Sequence, residues 1–189
     1  MVAAQVFKEG GYDKATMRTI AEKVGLKEPS LYHHIKSKDQ MLYEIVKGAT
    51  QAGVSRISYI RAMRIPADEK IRLCFKAHFD SLLKSYPEVS VLIHEKISLL
   101  RSEQAKEIRK LYRKYVHIIS DIIAKGIQDK VFKNGIDVKL STWAFLGMVN
   151  WSYKWCKIDG VVPFDQIADL FAKIFLTGIT MQKSRRRMQ

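Results

Sequence analysis

Between Thr16 and Ser37 the chain reads TMRTIAEKVGLKEPSLYHHIKS, and the punctuation of this stretch leaves few folds open. Thr16 can cap the free N–H groups of an opening helical turn. Ile20, Ala21 and Val24 then share one face at helical spacing. Gly25 stands where a helix end takes a residue of positive φ, and Leu26 is the apolar residue that closes the turn. Pro29 suits the first turn of a second helix, where its missing N–H costs nothing. Within that helix Leu31 and Ile35 point inward, leaving Pro29, Ser30, Tyr32 and His33 facing out. Ser37 followed three residues later by Gln40 is a capping box, so a third helix starts there. Two short helices about a glycine turn make a helix-turn-helix, a motif whose second helix enters the major groove of duplex DNA.

The positions Gly11-Tyr12, Ala15-Thr16, Ile20-Ala21, Val24-Gly25-Leu26, Ser30-Leu31-Tyr32-His33-His34-Ile35 and Ser37-Lys38-Asp39 resemble the DNA-binding domain of TetR-family transcriptional regulators. The resemblance covers about the first 45 residues. It implies that Tyr32, Ser37 and Lys38 hold phosphates and that Pro29, Ser30 and His33 lie nearest the bases. Phosphate contacts fix register, and base-edge contacts give sequence preference. Thr16, Arg18, Lys27, Glu28 and His34 complete the candidate DNA-facing set. Lys27 departs from the family pattern, which often has a capping Ser or Thr there. A lysine cannot accept the cap bonds, although its ammonium can reach a phosphate. The first helix is also shorter than the family's, with residues 2–10 offering Ala3, Val6 and Phe7 as an inward face.

The net charge of +14 over 189 residues favours a polyanionic partner. Residues 1–48, however, hold eight basic and six acidic side chains, so the motif itself carries little of that excess. Four cations, Lys183, Arg185, Arg186 and Arg187, form a basic tail. No apolar run reaches membrane-spanning length and no signal core opens the chain. Cys74 and Cys156 form neither a disulfide framework nor a CxxC pair. They read as reduced core residues of a cytoplasmic protein.

Beyond residue 37 the periodicity is helical throughout, and the hairpin-punctuated alternation of a sheet is absent. Helices are expected over 38–63, 68–85, 89–100, 102–131, 137–156 and 163–182. Pro66, Tyr86-Pro87, Asn134-Gly135 and Asp159-Gly160 supply the breaks. The fold class is therefore all-α, with about nine helices. A three-helix DNA-binding domain occupies 1–48, an effector-binding and dimerisation domain 49–182, and the tail 183–189.

The last two helices bear on assembly. The run 143–151 is apolar nearly all round and needs cover on both sides. In the last helix Phe164, Ile167, Ala168, Phe171, Ile174, Phe175 and Gly178 make one stripe, widened by Leu170 and Leu176. The resemblance implies a homodimer through about 137–157 and 163–182. Its two-fold axis sets the two reading helices about one turn apart on palindromic operator DNA.

The family also implies a small-molecule effector that shifts the equilibrium between DNA-competent and incompetent conformations. Phe75, His78, Phe79, Leu82, Tyr112, Tyr115, Ile119, Trp143, Gly147, Asn150, Trp151 and Lys154 are the candidate lining of a mostly apolar pocket. Aromatic residues at helical spacing also serve as plain core. The segment 147–155 with Asp159-Gly160 is similar to one in TetR-family repressors of fatty-acid and steroid catabolism that answer to acyl-CoA thioesters, so an acyl-CoA is one candidate effector. Lys154, Lys157, Arg109 and Arg113 are cations that could meet its phosphates. One alternative is a DNA-binding dimer whose C-terminal domain takes no small molecule. A remoter one is a helical metal-dependent enzyme, since His117 and Asp121 share a helix face and His94 adjoins Glu95. No HExxH pattern, phosphate loop or nucleophile elbow supports catalysis. No catalytic residue, metal ligand or resident cofactor is assigned.

Overall fold

The computed structural model describes residues 2–84, 88, 102–152, 154–156 and 162–181. Among them are eight helices and no strand. They are α1 (Val2–Lys14), α2 (Met17–Lys23), α3 (Glu28–His34), α4 (Lys38–Ala62), α5 (Ala67–Lys84), α6 (Ser102–Gln128), α7 (Val138–Ser152) and α8 (Phe164–Ile179). The helix expected over 89–100 lies outside the described residues. Two compact units divide the chain: Met1–Arg56 with Ser81–Tyr115, and Ile57–Asp80 with Val116–Gln189.

The first unit closes around a core of Ala4, Val6, Phe7, Tyr12, Ile20, Leu31, Leu42 and Val46, with Phe7 and Tyr12 ring to ring at 5.4 Å. Ala105 and Ile108 of α6 belong to the same core. Helix α1 runs as far as Gly10 and then kinks, because Gly11 takes φ +76°. The inward face of α1 includes the fully buried Ala4, while Ala3 is only half-buried.

In the second unit α8 buries Phe164, Ile167, Ala168, Ala172, Phe175, Leu176 and Ile179. The expected stripe was rotated by about one position: Ile174, assigned to it from spacing, is 56% exposed, and Ala172 takes the inward place. Phe75 of α5 is fully buried against Phe145 (4.5 Å), Phe175 (5.8 Å) and Phe171 (6.4 Å). Phe79, one turn on, packs edge-on to Phe171 at 5.5 Å.

Helix α6 stops at Gln128, three residues short of the expected end, because the chain folds back on itself. Lys130 takes φ +58°, and Val131 and Phe132 both donate their N–H to the Gly126 carbonyl, at 2.9 and 3.0 Å. Phe132 then bridges Thr180 at the end of α8. Gly126 is obligatory here: a Cβ would stand 2.3 Å from the Phe132 ring and 2.8 Å from Ala67 Cβ. Helix α7 is likewise shorter than its apolar run, and the N–H groups of Trp155 and Cys156 turn onto the Ser152 carbonyl.

Candidate nucleic-acid interface

Both ends of α2, the first of the two short helices, are held by groups that the sequence supplies locally. Thr16 Oγ1 accepts from the Thr19 N–H at 3.0 Å, so the cap residue precedes α2 and the helix proper starts at Met17. At the other end Val24 is the C-cap and Gly25 takes φ +72°. Leu26 N–H then reaches the Ala21 carbonyl (2.9 Å) and Gly25 N–H the Glu22 carbonyl (3.1 Å), the bond pair of a Schellman ending. Val24 and Leu26, expected to point inward, are 39% and 41% exposed. Only Ile20 and Ala21 of that face reach the core, because a seven-residue helix offers two turns and the glycine swings the chain away after the second.

Helix α3 starts at Lys27 with no side-chain cap, as a lysine cap requires, and Pro29 lies in its first turn. Leu31 anchors it in the core. Pro29, Tyr32, His33 and His34 are exposed, and Glu28 and Ser30 are half-buried. An open hollow of about 360 Å³, lined by Arg18, Ala21, Glu22, Leu26, Lys27 and Glu28, borders the start of this helix. A seven-residue helix held by one buried leucine thus leaves Pro29, Tyr32, His33 and His34 exposed.

The capping box forms with one shift. Ser37 Oγ accepts the Gln40 N–H at 3.1 Å, while Gln40 Oε1 accepts from Lys36 rather than Ser37. Lys38, assigned to phosphate from the family pattern, is half-buried and engaged within the unit. Its ammonium donates to the Tyr12 and Ala15 carbonyls, both at 2.9 Å, and lies 4.3 Å from the centre of the Tyr12 ring. The Tyr12 hydroxyl in turn donates to the Asp39 carboxylate. This clasp between the end of α1 and the start of α4 was missed at the level of sequence. The only signal for it was the pairing of Gly11-Tyr12 with Lys38-Asp39 in one motif. Arg18 pairs with Glu22 at 3.0 Å on the exposed side of α2, so its charge is locally offset.

The candidate pocket residues divide by environment. Phe75, Phe79, Leu82 and Ile119 are buried, and His78, Tyr115 and Asn150 are half-buried. Tyr112, Trp143, Gly147, Trp151 and Lys154 lie at the surface. Lys154 Nζ sits 4.1 Å from the centre of the Trp151 ring. Burial pushes the His78 imidazole down to about 4, against a smaller opposing effect of its hydrogen bond to the Val149 backbone.

His117 Nε2 is 3.5 Å from Asp121, but Asp121 also accepts from Arg61 at 2.7 Å. Among the described residues no group of three or more His, Cys, Asp or Glu side chains converges on a metal position, and no helix is long and apolar enough to cross a membrane.

Comparison with known proteins places this geometry. Residues 2–45 match the family described as bacterial regulatory proteins, tetR family, and residues 64–179 match the Tetracyclin repressor-like C-terminal domain. The chain is 28% identical over 183 residues to the HTH-type transcriptional repressor KstR2 of Mycolicibacterium smegmatis, an alignment spanning 96% of this chain and 89% of that protein. Its fold is similar to the ketosteroid transcriptional regulator KstR2 of Mycobacterium tuberculosis, with a TM-score of 0.88 and 26% identity over 96% of this chain and 92% of the other. It is also similar to AibR solved with isovaleryl coenzyme A and operator DNA, with a TM-score of 0.81 and 27% identity over 92% and 93% of the two chains. With both of its halves matched and its helix-turn-helix formed, the chain belongs to the TetR family of DNA-binding transcriptional regulators.

Proposed function

We infer that this TetR-family regulator is a homodimeric repressor that binds palindromic operator DNA through α3 and is released by a small-molecule effector of the acyl-CoA class. One observation supports the DNA-facing assignment above all: α3, with a proline in its first turn, is anchored by a single buried leucine while Pro29, Tyr32, His33 and His34 stand free of the core. Ser30 and His33 read base edges, and Tyr32, Ser37 and Lys27 hold phosphates. Thr16, Arg18, Glu28 and His34 flank them. Lys38 directs its three N–H donors at the Tyr12 and Ala15 carbonyls (2.9 Å) and, more weakly, the Asp13 carbonyl (3.5 Å), so it reaches a phosphate by giving up the longest of these bonds. On this assignment residues 1–48 read DNA and 49–182 sense and dimerise, in the cytoplasm.

Dimerisation is supported by the apolar surface of α7 and α8. Leu140, Trp143, Leu170 and Ile174 are each about half exposed or more, and large apolar residues gathered on outer helix faces mark interaction sites. The acyl-CoA class is supported by the AibR complex and by the Trp151–Lys154 pair, an exposed ring and cation suited to a nucleotide end. A second reading, in which the C-terminal domain only dimerises, is favoured by the way Phe75 and Phe79 are filled by the protein's own rings.

The test is fluorescence anisotropy on DNA taken from upstream of the protein's own gene, with and without acyl-CoAs. His33→Ala is expected to flatten preference at one operator position, at a cost of ~1–3 kcal/mol. Tyr32→Phe should weaken binding to all sequences alike. Specific binding and salt dependence unchanged in both variants would remove α3 from the interface. Failure of every acyl-CoA to release the DNA would favour the second reading.

A further inference from the structure

His78 of α5 carries a chemical requirement that its own surroundings do not meet. Its imidazole is hydrogen-bonded to the backbone of Val149 on α7, while Nε2 is buried without any partner. A carbonyl can only accept, so the ring must be the donor; with Nε2 unpaired, the donating nitrogen is Nδ1. A neutral ring with its proton on Nδ1 has a bare lone pair on Nε2. The neighbouring ring is Phe79, whose plane stands at 83° to the imidazole at 5.9 Å, and Phe79 is itself packed against Phe164 and Phe171. None of these rings can donate a hydrogen bond. Buried acceptors left empty are rare in folded proteins and destabilise the arrangement that leaves them so. An arrangement in which Nε2 gains a donor is favoured by that amount, and a ligand bringing the donor gains differential affinity for it.

We propose that His78 is the polar anchor of the effector, that it accepts a hydrogen bond at Nε2, and that the effector therefore carries a hydroxyl or an amide N–H at the point that reaches α5. This rests on the effector-responsive reading above and narrows it. The thioester carbonyl of an acyl-CoA only accepts, so it cannot be the group that seats on His78. Donors in that class are of two kinds: a hydroxyl on the acyl chain, or a group common to every acyl-CoA, of which the pantetheine amide N–H lies nearest the thioester. The site thus selects effectors by donor position as well as by apolar length, and rejection of an analogue lacking the donor is the stronger kind of discrimination.

The experiment is calorimetric titration of the full chain with matched pairs, butyryl-CoA against 3-hydroxybutyryl-CoA and decanoyl-CoA against 3-hydroxydecanoyl-CoA, for wild type and His78→Leu. If the hydroxyl is the donor, wild type prefers the hydroxylated member by about tenfold or more, and His78→Leu erases the preference. If the amide is the donor, wild type binds both members of a pair alike, and His78→Leu weakens both to a similar degree. Affinities and preferences that are the same in the two proteins overturn the proposal and leave the acyl-CoA reading standing. A wild type that binds none of the four overturns both.

Nitrogen NMR of histidine-labelled wild type decides independently if His78→Leu does not fold. The free protein must show the proton on Nδ1, and the Nε2 resonance must move upfield when a bound ligand donates to it. A proton found on Nε2, or an Nε2 resonance unmoved at saturation, overturns the proposal.

Discussion

Single atoms decide more in this chain than its helical periodicity suggests. Gly126 is the sharpest case, since a methyl group there would overlap the Phe132 ring that the chain has folded back over it. Gly126→Ala is expected to cost ~1–3 kcal/mol, read as a fall of ~2–4 °C in Tm per kcal/mol. An unchanged melting curve would mean that the Phe132 turn yields freely. His78 sets the acid limit at the same scale. Its ring is held neutral by burial, to about 4 against an ordinary 6.5. The unfolded chain therefore takes up that proton first, and stability present above pH 6.5 is lost as pH falls toward 4. The loss should reach ~3 kcal/mol, and His78→Leu should flatten that limb in urea denaturation run at several pH values. Identical limbs in the two proteins would exclude His78 as the cause. Cys74 and Cys156 are both buried, their thiols pushed up to about 12 and about 11 by burial.

At the level of elements, what the sequence revealed was what depends on near neighbours. The Thr16 cap, the Gly25 ending and the Ser37–Gln40 box each need only three to five residues, and all three formed. Gly25→Ala should cost ~1–2 kcal/mol, seen as a lower Tm with weakened operator binding. Which side of α8 turns inward was not legible, because Ile174 and Ala172 differ only in what packs beside them. The clasp of Lys38 on α1 was hidden for the same reason, its partners being distant in sequence, and the steric need for Gly126 because it depends on the chain folding Phe132 back over it. So was the joint between α4 and α6, where Lys47 bonds Glu107 at 2.9 Å and the Tyr43 hydroxyl at 3.0 Å, and Tyr43 also donates to Glu107. The hydrogen bond from Tyr43, then that from Lys47, hold the Glu107 carboxyl below its ordinary 4.5. Tyr43 and then Glu107 raise the Lys47 ammonium above 10.5. The joint therefore contributes fully between about pH 4.5 and 10.5, fading as acid passes the depressed carboxyl value or base passes the raised ammonium value. The Tm difference between wild type and Glu107→Gln should be present at neutrality and shrink in acid. A difference that persists in acid would show the joint to be non-ionic.

For the molecule as a whole, the outward Leu140, Trp143, Leu170 and Ile174 of α7 and α8 predict the behaviour of the assembly. Ile174→Glu places a charge on the exposed apolar face without touching the buried one. It is expected to give a folded monomer by sedimentation velocity, with operator affinity reduced by roughly a hundredfold through loss of the second half-site. A variant that stays dimeric would move the interface elsewhere. The reader, meanwhile, does not close on itself: Ala105 and Ile108 of α6, far along the chain from the third helix, belong to its core. Modular exchange is constrained by that fact. A chimera that takes only residues 1–48 and joins them to a foreign sensor would inherit the side chains proposed to face DNA but leave a hole beneath them, unless the opening turns of α6 travel with the graft.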